Sequence, residues 1–281
     1  MVRGVWVGDT IVLHLHLPGH SMTEREEPAA RANAQSPGEL IARRVCELTE
    51  VALRRSPQSH TTLPILAATV ELLNESVTRS ADRERCACRA GCSACCHLAV
   101  SITAPEALWM ARRLRETRPA DELAEVLGRI VATSQRGSHL TIEERAQERV
   151  PCALLTVDGA CSIHSFRPIG CRGWTSFSRA DCDRALAEGE PGHSGPMDRA
   201  VWEAAGGVTD GLERAMRSAG VDSGHYELHG ALRTALETQD SEQKWADHEP
   251  VFIHCRRVRS AKLAGSGGET SGKPGGKSGD G

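Results

Sequence analysis

A block of nine residues near the middle of the chain contains four cysteines: Cys88, Cys92, Cys95 and Cys96. A second and more widely spaced group follows it: Cys152, Cys161, Cys171 and Cys182. Thiolates are the ligands that zinc and iron–sulfur clusters both favour. The spacing therefore predicts a centre that holds zinc or an iron–sulfur cluster, and it identifies these eight cysteines as its candidate ligands.

The composition of the chain limits the partners and the cellular compartment that we expect for this protein. The formal net charge is −3, which argues against general nucleic-acid binding because that requires a basic excess. No apolar run approaches the roughly 20 residues of a membrane span, and residues 1–20 do not resemble a secretion signal. Eleven cysteines without such a signal favour a reducing compartment, where clustered thiols more often bind metal than form disulfides. We therefore expect a cytoplasmic protein with no membrane or nucleic-acid partner.

Hydrophobic periodicity predicts a mainly α-helical fold organised around the cysteine centre. Residues 1–36 are expected to be a flexible leader, with Met22 as a credible alternative start. Residues 37–250 are expected to form the domain, with its motif core at 85–185, and residues 251–281 a disordered tail rich in Gly, Ser and Lys. Helices are predicted over these ranges: 38–55, 63–80, 104–118, 119–130, a short one after 141, 197–218 and 225–239. The first two are expected to pair beside the cluster.

Turn signals add local detail around the cysteines. Gly91 permits a tight turn, and a helix after it would put Cys92, Cys95 and Cys96 on one face. Asp158-Gly159 predicts a small β-hairpin in which Thr156 faces Cys161. In that register Cys152 and Cys161 would be roughly 13 Å apart, too far for one zinc ion. Either the hairpin frays near residue 151, or the cysteines serve different metals, or a larger cluster spans the gap.

Arginines accompany the second cysteine group. Arg167 and Arg172 flank Cys171, and their guanidinium groups could offset thiolate charge and donate hydrogen bonds to sulfur. We interpret both as contacts of the bound cofactor, whereas Arg89 is equally well explained as a surface residue. Cys46 lies on a helical pattern far from both groups and is predicted not to be a ligand.

The cysteines and their neighbours resemble a known family. Cys88-x3-Cys92-x2-Cys95-Cys96, followed by Pro151-Cys152-x8-Cys161-Ser-Ile-His-x2-Arg167-Pro168-x2-Cys171-Arg172, is similar to the YkgJ-type cysteine-cluster family of zinc- or iron-chelating proteins. Gly173-Trp174-x-Ser176 and Cys182 resemble one branch of it. His164 departs from the tyrosine usual at its position. The resemblance covers residues 85–185 and implies a metal site more firmly than a reaction.

Three functions are compatible with these features. The first is a metal-binding protein that holds zinc or an iron–sulfur cluster. The second is an iron–sulfur redox or modifying enzyme acting on a protein or peptide, because the family's relatives include flagellin lysine-methylating proteins. The third is an interaction module with a purely structural metal. The sequence contains no phosphate-binding loop, dinucleotide fingerprint or nucleophile elbow that would indicate a conventional enzyme.

Overall fold

The computed structural model describes residues 2–7, 10–15, 36–55, 66–71, 73–75, 82–192 and 195–260. Helices dominate this part of the chain, which confirms the mainly α-helical fold class. Within the described ranges, none of the helices combines the length and the apolar character that crossing a bilayer demands.

The described helices run in the following order: α1 (Pro37–Arg55), α2 (residues 66–71 and 73–75), α3 (Ala104–Thr117), α4 (Ala120–Gly137), α5 (Ile142–Glu148), α6 (Ile169–Gly173), α7 (Arg179–Glu188), α8 (Arg199–Ser218), α9 (Leu228–Glu237) and α10 (Ser241–Ala246). Four short strands accompany them: β1 (Val2–Val7), β2 (Thr10–Leu15), β3 (Ser101–Thr103) and β4 (His225–Glu227). Both strand pairs, β1–β2 and β3–β4, are antiparallel.

Small residues let α1 and α8 approach closely. A Cβ atom added at Gly207 would lie 2.4 Å from the carbonyl oxygen of Gly38, and one at Gly211 would lie 2.4 Å from that of Ala42. Only glycine at these two positions permits this separation of the helix backbones. The helix α1 packs extensively against α8, which lies more than 140 residues later in the chain. Apolar residues of α1 and α2 belong to the same core cluster.

Local sequence signals explain two of the helix starts. Thr103 and Glu106 form a capping box at the start of α3, with Pro105 in its first turn. Thr141 and Glu144 form a second box at α5. Each box satisfies backbone N–H groups that have no partner within the helix, so these helices begin at defined residues.

The core lies between α3, α4, α9 and the short β3–β4 sheet. Ile102 pairs with Tyr226 across that sheet, and the ring of Tyr226 stacks on Phe252 at 5.5 Å between centroids. Phe252 is fully buried, and the backbone N–H of Glu227 donates to the carbonyl of Arg256. Residues 251–260 therefore belong to the packed domain, which corrects the predicted boundary at residue 250.

Residues 2–7 and 10–15, which the sequence analysis expected to belong to a flexible leader, pair as an antiparallel hairpin. One expectation about a loop needs correction. The predicted hairpin around Asp158-Gly159 is reduced to one bridge between Leu155 and Cys161. The loop is longer than the predicted two-residue turn. The backbone N–H of Gly159 donates to the carbonyl of Thr156, and the backbone N–H of Thr156 donates to the carbonyl of Ala160. The expected tail beyond residue 260 lies outside the described residues.

Candidate metal centre

The first cysteine block forms a tight turn and a short 3-10 helix. Gly91 takes a φ of +80°, as predicted for the turn after Cys88. The 3-10 helix covers Ala94–His97, so Cys95 and Cys96 lie in it and Cys92 precedes it. The expected single helical face with all three thiols is therefore wrong, and Cys92 and Cys95 are free to join different neighbours.

The second block is held against the first by backbone hydrogen bonds. Cys152 N–H donates to the carbonyl of Cys96 at 2.8 Å, and Leu155 N–H turns back to the carbonyl of Cys152 at 3.2 Å. The chain therefore bends between Cys152 and Leu155 instead of continuing as a strand. Of the arrangements left open by the sequence, this bend corresponds to a hairpin whose strand pairing does not continue to Cys152.

Four thiols from both blocks lie close enough to influence one another's charge. We call this set the inner centre: Cys95, Cys152, Cys161 and Cys171. Burial raises the pKa of Cys171, and the neighbouring thiols of Cys152 and Cys95 raise it further. Burial also raises the pKa of Cys161 and brings that of Cys152 to about 11. The Cys95 pKa is raised by a thiol contact with Cys96 and by burial.

Backbone donors point at two of these sulfurs. Leu154 N–H donates to the sulfur of Cys152, and Ile163 N–H donates to that of Cys161; each bond opposes the rise in the cysteine's pKa. A donor two residues after a cysteine favours the charged form of its sulfur, which is the form that binds metal.

Three of the remaining candidate ligands form a second set nearer the surface, together with Cys86, which was not a predicted ligand. We call this set the outer group: Cys86, Cys88, Cys92 and Cys182. Ser176 links its members, because its backbone N–H donates to Cys88 Sγ at 3.3 Å and its side chain contacts Cys182. Burial raises the Cys88 pKa to about 12, and the Cys86 and Cys92 thiols add to the rise. Cys182 also lies near Cys95, so the two sets are neighbours.

The other cysteines and a neighbouring histidine belong to neither set of thiols and have local contacts. The Cys46 thiol contacts Glu50 of its own helix at 3.8 Å, and the Cys255 thiol contacts Thr234 at 3.2 Å. The carbonyl of Cys96 accepts the hydrogen bond from the backbone N–H of Cys152, and the thiol of Cys96 contacts that of Cys95. His97 binds the carbonyl of Ser93.

The two predicted arginines have different surroundings. Arg167 lowers the pKa of Cys95, Cys161 and Cys171, so its charge lies beside the inner centre. Its Nε atom is buried without a hydrogen-bond partner. Arg172 instead donates to the carbonyls of Arg167 at 2.9 Å and Ser165 at 2.6 Å, and to the side chain of Asn74. Arg172 thus fixes the loop, while Arg167 presents a free donor.

A buried polar network on the far side of Cys152 was not predicted. It joins Arg145, Glu227 and His229, each at most 3% exposed. His229 lies 3.4 Å from the sulfur of Cys152 and 2.8 Å from Glu227, which in turn lies 3.7 Å from Arg145. No cysteine neighbours these residues in sequence; the only signal was Glu227-x-His229 at the start of a predicted helix.

The donor set fits a thiolate-bound metal. Arg167 Nε and both terminal nitrogens of Arg145 are buried without hydrogen-bond partners, and both guanidinium groups act electrostatically on inner thiols. Such donors suit the negative charge that several thiolates leave around a metal. Within the described ranges, no group of three Cys, His, Asp or Glu side chains is placed so that it could hold a metal ion. The thiols would therefore have to turn toward a common point to bind one.

Fold and site together describe a mainly helical protein in which half-buried thiols from two cysteine blocks act on one another. Residues 87–185 match the family model CxxCxxCC, whose description is "Putative zinc- or iron-chelating domain". This segment contains all eight predicted ligands, so the resemblance drawn from cysteine spacing is confirmed over it. Neither the curated proteins nor the solved structures include a significant match to the chain.

Proposed function

We propose that the protein binds zinc or an iron–sulfur cluster through the four thiols of the inner centre. One observation carries this proposal: Cys95, Cys152 and Cys161, from separate segments, all act electrostatically on Cys171, as does Arg167, whose Nε has no hydrogen-bond partner. A fold has no evident packing reason to bring four thiols and a cation into one region. A metal that is bound by four thiolates supplies that reason, because its excess negative charge attracts the guanidinium group.

The chain's own residues would each hold a defined part of this site. Cys95 comes from the 3-10 turn, Cys152 and Cys161 from the ends of the bent loop, and Cys171 from α6. Zinc would act here as a structural crosslink, whereas an iron–sulfur cluster would supply electron transfer. In both cases binding joins segments up to 76 residues apart, so it should stabilise the fold.

All eleven cysteines of the chain are free thiols in the structure. This observation supports our proposal that the protein works in a reducing compartment such as the cytoplasm. The thiol centre would serve equally in the alternative of an iron–sulfur enzyme that acts on a protein or peptide, and a bound cluster would favour that alternative.

The test is metal analysis and absorbance of the full chain purified without oxygen. Zinc gives a colourless protein, and an iron–sulfur cluster gives a brown one with sulfide. Cys171→Ser should lose the metal, while Cys46→Ser, the matched control in α1, should keep it. Full metal content in Cys171→Ser would overturn the inner centre. Metal loss in Cys88→Ser without loss in Cys171→Ser would place the site in the outer group instead.

A further inference from the structure

The buried imidazole of His229 has one defined tautomer. Its Nε2 accepts a hydrogen bond from the backbone N–H of Ala153 at 3.2 Å. Because a backbone N–H only donates, this nitrogen carries no proton and the ring proton lies on Nδ1. Nδ1 donates it to Oε1 of Glu227 at 2.8 Å. The ring is therefore fixed at both nitrogens, with the unprotonated one facing Cys152.

Glu227 is itself fixed in place. Its Oε2 accepts the backbone N–H of Gly230 at 2.9 Å, so the carboxylate caps the start of α9. Its Oε1 lies 3.7 Å from the guanidinium of Arg145, whose Nε donates to the carbonyl of Leu98. The network thus connects α9 and α5 to the backbone of both cysteine blocks.

Burying these three groups is costly for the fold. Moving an ion from water into the protein interior costs several kcal/mol. Well-packed apolar side chains of similar volume usually stabilise a core at least as much as a buried ion pair does. Capping α9 accounts for one oxygen of Glu227. It does not account for a histidine beside a thiol, or for an arginine whose terminal nitrogens have no hydrogen-bond partner.

We propose that His229 is a positioning residue that aims Cys152 into the inner centre. This inference rests on the proposed metal binding. By accepting the Ala153 N–H, the ring fixes the backbone next to Cys152, and its Nε2 lies 3.4 Å from the sulfur. Glu227 sets the orientation of the ring. The metal centre therefore depends on a helix start that lies outside the matched segment, residues 87–185.

A direct role as a metal ligand is less well supported. The inner centre already offers four thiols, which complete a tetrahedral zinc site or the ligand set of a cubane cluster. The lone pair of Nε2 is also occupied by Ala153. Residues that orient a ligand from outside typically change metal affinity by about 10–100-fold when replaced.

The experiment uses the full chain loaded with Co²⁺, whose sulfur-to-metal absorption reports thiolate binding. His229→Leu removes the acceptor, and His229→Gln retains one at a similar distance from the backbone. His225→Gln is the matched control, because His225 also pairs with a glutamate, Glu213 at 3.1 Å, but lies away from Cys152. We expect His229→Leu to lose Co²⁺ to a chelator about 10–100-fold faster. The Gln variant should recover much of this loss, and the control should match wild type.

Each outcome has a defined meaning. Wild-type retention and absorption in both His229 variants would overturn the positioning role while leaving the metal site standing. X-ray absorption could also detect a nitrogen ligand at the metal in wild type that is absent in His229→Gln. That result would make His229 a metal ligand and would overturn the positioning role. If His229→Leu does not fold, the Gln variant decides by the same two measurements. A wild-type chain that binds no metal would overturn the proposed function, and this inference with it.

Discussion

The backbone N–H of Ile169 donates a hydrogen bond to Oε1 of Glu106, 2.9 Å away. The same carboxylate accepts bonds from the backbone and hydroxyl of Thr103 and thereby caps α3. Ile169 is the first residue of α6, which carries Cys171. One buried side chain therefore fixes both the start of a core helix and the start of the helix that presents an inner thiol.

Replacing Glu106 should weaken both attachments. Glu106→Ala leaves three donors without their acceptor, and each unsatisfied buried donor costs about 1–3 kcal/mol. We expect a clear fall in the free energy of unfolding and faster metal loss, because α6 loses its link to α3. Chemical denaturation and chelator competition measure the two effects. Glu144→Ala, in the exposed capping box of α5, is the control. An effect no larger than the control's would argue against a link through Glu106.

Helix packing offers a second test with adjacent residues. Gly206 and Gly207 are neighbours on α8, but a Cβ at Gly206 meets nothing within 4 Å, whereas one at Gly207 lies 2.4 Å from the carbonyl oxygen of Gly38. Gly207→Ala should destabilise the protein by about 1–3 kcal/mol through overpacking. Gly206→Ala should stabilise it by up to about 1 kcal/mol through helix propensity. Equal changes in denaturation midpoint would show that α1 and α8 do not approach as closely as described.

The C-terminal boundary gives a third prediction. A chain that ends at Pro250 lacks Phe252, which is fully buried against Tyr226, and lacks the carbonyl of Arg256 that accepts from Glu227. We expect a fall of at least about 3–5 kcal/mol, the usual cost of deleting a buried phenylalanine. A chain that ends at Leu263 retains these contacts and should unfold like the full chain. Equal thermal stability of the two truncated chains would contradict the packing of residues 251–260.

The helices could be predicted because their signals are local. The Thr103–Glu106 capping box and the apolar spacing of α4 depend on neighbouring residues only. The bond from Ile169 to Glu106 and the approach of Gly207 to Gly38 join residues distant in sequence, and no local pattern encodes them.

The clustering of the cysteines in the sequence identified them as candidate ligands, but it did not predict their division into two sets. Cys92 and Cys95 share a block and both act on Cys182, but only Cys95, which lies in the 3-10 turn, is among the thiols that raise the pKa of Cys171. His229 could not be linked to Cys152 from the sequence, since it lies 77 residues later and its only local signal was Glu227-x-His229. The hairpin was predicted from Asp158-Gly159, but the bend that begins at Cys152 prevents a second strand pair.

The sequence analysis interpreted both arginines beside Cys171 as contacts of the bound cofactor. Their different surroundings in the structure lead us to expect a different role for each. Arg167→Met removes a positive charge near three inner thiols, and the Nε that it deletes has no hydrogen-bond partner, so the variant should fold. It should lose metal to a chelator about 10–100-fold faster, because the thiolate charge is no longer offset. Arg172→Met instead removes bonds to two carbonyls and Asn74. Bonds from a charged donor contribute about 1.5–3 kcal/mol each, so this variant should unfold at lower denaturant even without metal.

Measuring both quantities for both variants separates the roles. Denaturation of the metal-free chain should rank Arg172→Met well below Arg167→Met, because only Arg172 joins the loop to α2. Metal retention at equal folded fraction should show the reverse order, because only Arg167 has an unpartnered nitrogen beside the sulfurs. If an iron–sulfur cluster is bound, Arg167→Met should also lower its reduction potential, since a lost positive charge favours the oxidised form. The same ranking in both measurements would mean that the two arginines share one structural role.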